Sequence, residues 1–178
     1  MNRLVNRGSE KEASMKGNKM EYFHAVYERQ ADRIYKIAML YLNNEADAED
    51  ALQSIFLKQI EKDYRFDDPE QEKAWYITVT KNYCKDVLKS SWQKRTSMDD
   101  IDEPAASSED TDLVNDMEQA LYRLPVVDRE ILYLYYYEGY RINEIAKILK
   151  YRESTIGSKL SAARDKLKSY FKEDRDER

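Results

Sequence analysis

Hydrophobic residues recur along this chain at three- and four-residue spacings, interrupted at a few sharply marked points, and the pattern predicts helices from end to end. From Glu21 the positions Phe23, Val26, Tyr27, Ile34, Ile37, Ala38, Leu40 and Tyr41 keep helical period up to Asn43 and Asn44, which suit a helix end. A second helix opens over Glu45 to Asp50, acids matched to its positive N-terminal end. It carries Ala48, Leu52, Ile55, Phe56 and Ile60 on one side and Glu49, Asp50, Gln53 and Lys58 on the other. The break at Phe66-Asp67-Asp68-Pro69 doubles as a start signal: Asp68 can cap, Pro69 fits the first helical position, and Gln71 stands where a capping box wants Glu or Gln. A long third helix then runs to about Gln93, with Ala74, Ile77, Val87 and Leu88 as its apolar side.

From Thr96 to Thr111 the periodicity disappears, and Ser, Asp, Ala and Pro104 mark a linker that can reach up to ~55 Å when extended. Beyond a possible cap at Asp112, Leu113, Met117, Ala120, Leu121 and Leu124 predict one helix, Leu124-Pro125 a stop, and Val127, Ile131, Leu134 and Tyr135 the next. Glu138 to Leu167 then reads as two short helices joined by a tight turn, the outline of a helix-turn-helix. With Ala146 at the crossing, Ile142, Ile145, Leu149, Tyr151, Ile156 and Leu160 fall on the inside. Ser154, Thr155, Gly157, Ser158, Lys159 and Arg164 are left for the outer face, which can lie in a DNA major groove. An ordinary helical hairpin on a bundle satisfies the same pattern. The expected architecture is all-α: a basic extension without structure at 1–19, a helical domain at 20–95, an acidic flexible linker at 96–111, a four-helix domain ending in the helix-turn-helix at 112–173, and a tail at 174–178.

Charge sharpens this division. The net charge is −5, yet Asp99 to Asp116 holds eight acidic and no basic residues, while Tyr140 to Lys172 holds nine basic and three acidic, and Pro69 to Arg95 six basic and three acidic. Two basic helical blocks separated by an acidic spacer fit two modules that touch nucleic acid through a connection that does not. On the third helix Lys81, Lys85 and Lys89 fall at four-residue intervals among Trp75, Tyr76, Tyr83 and Trp92. Such interleaving can follow a phosphate backbone and stack exposed bases; solvated lysines beside core aromatics fit it equally. The one cysteine, Cys84, reads as buried packing and the one histidine, His24, has no catalytic companion. With no metal-ligand spacing, phosphate-cradling glycine loop or nucleophile–base pair, the expectation is a protein without enzymatic activity, cofactor or metal. No apolar run approaches the ~20 residues that span a bilayer, so a cytoplasmic protein with no stable membrane association of its own is expected.

Three stretches together resemble a known family, the extracytoplasmic-function sigma factors of bacterial RNA polymerase, over roughly Tyr22 to Phe171. Ala48 to Phe56 (AEDALQSIF) is similar to that family's polymerase-binding helix, Ala74 to Lys89 (AWYITVTKNYCKDVLK) to its promoter-melting helix, and Leu124 to Leu167 to its C-terminal helix-turn-helix module. The resemblance implies a first module that binds core RNA polymerase and melts the −10 promoter element, and a second that reads the −35 element as duplex. It places Glu49, Asp50 and Gln53 against polymerase, Trp75, Lys81, Asn82, Lys85 and Lys89 in melting, and Arg152, Ser154, Thr155, Ser158, Lys159 and Arg164 on the upstream duplex. It also implies an anti-sigma partner, and a linker near the RNA path in which Asp99, Asp100, Asp102 and Glu103 mimic phosphates.

The chain departs from the family at Arg141, where a Ser or Thr cap is usual, and at Lys150, a turn position that Gly or Asn would occupy more easily. Gly157, Ser161 and Ala162 stand where the recognition helix is commonly basic, which predicts weak DNA affinity without polymerase. Two other readings remain: a free-standing helix-turn-helix regulator, dimeric on a palindromic site, and an all-helical enzyme.

Overall fold

A computed structural model describes residues 4–96, 117 and 119–176, with side chains described over 19–90, 117 and 119–170. Its main helices are α1 (Leu4–Leu42), α2 (Glu45–Lys62), α3 (Pro69–Thr96), α4 (Val126–Leu132) with a π-helical turn at Tyr133–Tyr137, α5 (Ile142–Leu149) and α6 (Glu153–Asp176). A short helical stretch at 119–122 precedes α4. No strand occurs among the described residues. None of their helices is long and apolar enough to cross a membrane.

The helix signals act largely as their chemistry requires. Asn44 caps α2, its side chain accepting from the Asp47 amide at 2.9 Å. Asp68 accepts from the Glu70 amide at 3.0 Å and Pro69 opens α3. At α5 the missing Ser or Thr cap is offset from the other side: Glu144 reaches back and accepts from the Arg141 amide at 2.8 Å, half of a capping box. Lys150 takes the left-handed conformation, φ 59°, that closes the helix-turn-helix, and the Tyr151 amide returns to the Ala146 carbonyl at 3.0 Å.

Four expectations change. The basic extension, expected without structure, continues α1 back to Leu4; its Glu, Lys, Met and Ala residues are good helix formers that outweigh Gly8 and Gly17. The tail begins inside α6, which persists to Asp176. Tyr151, assigned to the inside, is 42% exposed because the left-handed turn at Lys150 swings it outward. Ile60 and Leu88 lie on exposed edges of their helices. The acidic residues Asp99, Asp100, Asp102 and Glu103, the possible cap Asp112, and most of the linker lie outside the described residues.

Two apolar clusters hold the molecule together. One is confined to the N-terminal module and joins Val26, Ile34, Ile55, Phe56 and Tyr76. The other runs through both modules: Ile37, Tyr41, Ala48, Ile77 and Cys84 belong to the same buried cluster as Leu124, Ile131, Leu134, Ile145, Leu149, Ile156 and Leu160. Burying each such aliphatic side chain is worth about 1.5–3 kcal/mol, so this shared core fixes the two modules face to face. Within the helix-turn-helix, Ala146, Ile145, Leu149, Ile156 and Leu160 are buried as the pattern required, and Ile142 is half-buried.

Candidate nucleic-acid interface

The polar face of α2 is the simplest part of the site. Glu49, Asp50 and Gln53 are all exposed and make none of the described hydrogen bonds or ion pairs, while Ala48, Ala51, Ile55 and Phe56 on the opposite side are buried. Helical period alone puts the three polar groups on one outward strip, supported from beneath by the Ser54 hydroxyl, which donates to the Tyr83 oxygen at 3.2 Å. An acidic, unpaired strip of this kind offers charge to a basic partner surface.

Helix α3 divides its expected residues between two roles. Asn82, Lys85 and Lys89 are exposed and face solvent. Lys81 does not belong with them: it is 5% exposed, on the stripe that also carries Ile77, Thr80 and Cys84, and its ammonium donates to the Ile148 carbonyl at the end of α5, 2.9 Å away. The three lysines keep their four-residue spacing along α3, but α5 packs against this side of the helix and covers the first of them. Burial holds the Lys81 ammonium below the ordinary lysine range, with the Glu130 charge pulling it back up. Trp75 is half-buried in an aromatic cluster with Tyr64, Phe66 and Tyr76, at ring separations of 5.0, 5.4 and 4.8 Å. Tyr76 is fully buried, so the core reading of the aromatics holds for it. Cys84 is also fully buried, and its thiol is pushed up to about 12 by that burial, which leaves it unreactive at neutral pH.

On α6 and the turn before it, Arg152, Ser154, Ser158 and Arg164 are exposed, whereas Thr155, Gly157 and Lys159 are half-buried. Lys159 donates to Asp128 at 3.2 Å, an ion pair that clips α6 to α4 and draws its charge away from the outer face. Arg164 donates to the Leu160 carbonyl at 3.3 Å and lies near the rings of Tyr135 and Tyr136, 5.9 and 6.0 Å from their centres. The charge left outward on this helix is therefore thinner than its sequence suggests. A Cβ added at Gly157 would meet nothing within 4 Å, so that position exposes bare helix backbone.

Several residues that hold this geometry carried no signal in the sequence, because they act across the seam between the modules. Glu138 accepts from Arg33 at 2.8 Å and from the Tyr133 hydroxyl at 2.8 Å, and pairs with Lys73 at 3.2 Å. Lys73 also donates to the Glu138 carbonyl at 2.9 Å and lies over the Tyr140 ring, 4.3 Å from its centre. Burial works against the Glu138 carboxylate, yet the hydrogen bonds from Arg33 and Tyr133 prevail and hold it below its ordinary value. Tyr41 donates to Glu130, and Lys36 to the Tyr137 hydroxyl. Gly139, at φ 74°, makes the turn that delivers Glu138 to this position.

Comparison with known proteins places these elements in a family. Residues 26–94 match the family model described as Sigma-70 region 2, and residues 115–167 the one described as Sigma-70, region 4. The chain is 26% identical over 146 residues to the ECF RNA polymerase sigma factor SigM of Mycobacterium tuberculosis, covering 82% of this chain and 74% of that protein. It is 27% identical over 130 residues to RNA polymerase sigma factor SigV of Bacillus subtilis, 72% of this chain and 78% of that one. Among solved structures, the sigma factor RpoE from Bartonella quintana, crystallised with the anti-sigma factor NepR, superposes with a TM-score of 0.71 at 20% identity over 84% of this chain and 96% of that chain. CnrH, solved with the cytosolic domain of CnrY, gives 0.57 at 19% identity over 85% and 88%. These likenesses show a common fold.

Proposed function

Because this chain belongs to the sigma-70 family, in its extracytoplasmic-function branch, we propose that it binds core RNA polymerase through the α2 strip and grips promoter DNA at two points. It is an RNA polymerase sigma factor. The observation that carries the reading is the succession, in one chain, of a region 2 match and a region 4 match, with the exposed strip of Glu49, Asp50 and Gln53 on the first and an exposed Arg152, Ser154 and Ser158 edge on the second.

In this reading Glu49, Asp50 and Gln53 meet a basic surface of the polymerase. Lys85 and Lys89 neutralise phosphates of the displaced strand, Asn82 hydrogen-bonds an unstacked base, and Trp75 offers one ring face from its aromatic cluster. Arg152, Ser154, Thr155, Ser158, Lys159 and Arg164 form the edge toward the upstream duplex, where Gly157 lets the backbone come close to DNA. The protein acts by binding rather than by a reaction of its own, in the cytoplasm alongside polymerase. The sigma factor RpoE from Bartonella quintana is solved with the anti-sigma factor NepR, which supports an anti-sigma partner here too. A dimeric free-standing regulator would leave the α2 strip without a use.

Run-off transcription tests the proposal. The purified chain, added to sigma-free core polymerase, is expected to give start-site-specific transcripts from a subset of promoter fragments of its genome. Absence of core binding together with absence of any specific transcript would overturn it.

A further inference from the structure

The packing of α1, the stretch at 117–122, the π-helical turn and α6 leaves a groove of about 530 Å³ between them. Leu40, Leu121, Leu132 and Leu167, all buried or half-buried, make its floor. Met117, Tyr136 and Tyr137 stand at its edge, 47%, 61% and 57% exposed. The only charged side chains that line it are Arg164 and Lys168, one turn apart on the same face of α6.

We propose that this groove is a binding site for a free fatty acid, with the hydrocarbon tail on the leucine floor and the carboxylate on Arg164 and Lys168. Its volume lies within the ~300–1,000 Å³ of pockets that enclose small molecules. Its tyrosines offer ring faces rather than hydroxyls. The Tyr133 hydroxyl donates to Glu138 at 2.8 Å, and the Tyr137 hydroxyl accepts from Lys36 and donates to Asp32 at 3.2 Å. A nucleobase or a sugar seated there would leave its own donors and acceptors unpaired, whereas an alkyl tail has none to satisfy. The head of the ligand is set by the cations. The ion pairs that α6 makes among the described residues belong to Lys159 and Lys166, which leaves Arg164 and Lys168 without a carboxylate. Arg164 gives its Nε to the Leu160 carbonyl and lies 5.9 and 6.0 Å from the ring centres of Tyr135 and Tyr136, so its terminal nitrogens are available to an anion at the rim. The site itself does not depend on the sigma-factor reading, but one consequence rests on it: Arg164 also faces the upstream duplex, so a bound carboxylate competes there with a DNA phosphate.

The test titrates the full chain by calorimetry with decanoate, hexanoate, decanol and decylamine. Decanoate is expected to bind once per chain, about tenfold more tightly than decanol and more tightly still than decylamine, because a carboxylate hydrogen-bonded to cations adds to what the tail supplies. Hexanoate is expected to bind at least tenfold more weakly than decanoate, since each methylene removed from water is worth about fourfold in affinity. Lys168→Glu, an exposed position whose new carboxylate pairs with Arg164, is expected to bring decanoate down to the affinity of decanol; Met117→Glu, at the opposite edge, is expected to weaken decanoate and leave decylamine unweakened. Absence of saturable binding at one decanoate per chain, equal affinity for decanoate and decylamine, or unchanged decanoate affinity in both variants would overturn the site. Saturating decanoate is further expected to weaken a gel shift of the upstream duplex by the parent. A parent that binds no promoter DNA even without decanoate would count against the sigma-factor reading, with the groove still decided by the calorimetry.

Discussion

The Tyr41 hydroxyl of α1 donates to the carboxylate of Glu130 in α4, 89 residues further along the chain, and both side chains are buried. The second oxygen of that carboxylate has no partner among the described residues. Burial raises Glu130 above the ordinary glutamate range, against the Tyr41 hydrogen bond and the Lys81 charge. The folded state thus favours the protonated acid. The stability this contributes is fully present below the unfolded value of ~4.3 and is lost as pH rises through the higher folded value. Glu130→Gln, neutral at every pH, is expected to raise the unfolding free energy measured by urea titration at about pH 8 by on the order of 1 kcal/mol, with a higher midpoint, and to change little at about pH 4. A midpoint at the higher pH equal to or below that of the parent would clear Glu130 of this role.

The three lysines of α3 are expected to separate in two measurements. Lys85→Ala and Lys89→Ala, both exposed, leave the melting temperature unchanged and each lower the salt slope of single-strand binding to the polymerase-bound protein by about 0.7. Lys81→Ala lowers stability by about 1–3 kcal/mol, because it strips the Ile148 carbonyl of its donor and leaves the buried Glu130 charge less compensated. Equal behaviour of all three would contradict the burial of Lys81.

For the α2 strip, Asp50→Ala and Gln53→Ala are each expected to weaken core binding by about tenfold while urea unfolding stays within ~0.5 kcal/mol of the parent. Fluorescence anisotropy with labelled core polymerase measures the first quantity. Unchanged affinity in both variants would move the interface elsewhere.

Two backbone positions in the helix-turn-helix carry strain or freedom that substitution can relieve. Lys150 sits at φ 59°, so Lys150→Gly should add about 1 kcal/mol of stability. Gly157 lies inside α6 with open space around its would-be Cβ, so Gly157→Ala should add about 0.5–1 kcal/mol. If Gly157 serves backbone approach to DNA, the alanine variant gains stability and loses affinity for the upstream element, and calorimetry beside a gel-shift assay separates the two effects. A loss of stability in either variant would contradict the geometry.

What the sequence made legible was local. The helix end at Asn43 and Asn44, the cap at Asp68, the buried set Ile145, Ala146, Leu149, Ile156 and Leu160, the left-handed turn at Lys150 and the outward strip of Glu49, Asp50 and Gln53 all follow from spacing within one element or two neighbours. What it hid was set by partners about 30 to 105 residues away. Lys81 shares its four-residue period with Lys85 and Lys89, and only the arrival of α5 distinguishes it. Glu138 read as a turn residue, since nothing near it in the chain announces Arg33 or Lys73. Arg164 is exposed on the outer face, with the tyrosines of the π-helical turn occupying part of its charge, whereas Lys159 is half-buried and turned to Asp128.

The core shared by Ile37, Tyr41 and Ile77 with Ile131, Ile145 and Leu149 is formed within one chain rather than between two. A covalent tether of this length keeps its ends at an effective concentration of roughly 1 mM. A seam whose halves, untethered, would dissociate at about 10 µM is then closed in about 99% of molecules. Because doubling a tether changes that figure by only ~0.6 kcal/mol, its length is nearly free to vary. The acidic connection can thus be shaped by whatever it meets on polymerase, with the resting state of the chain left almost untouched.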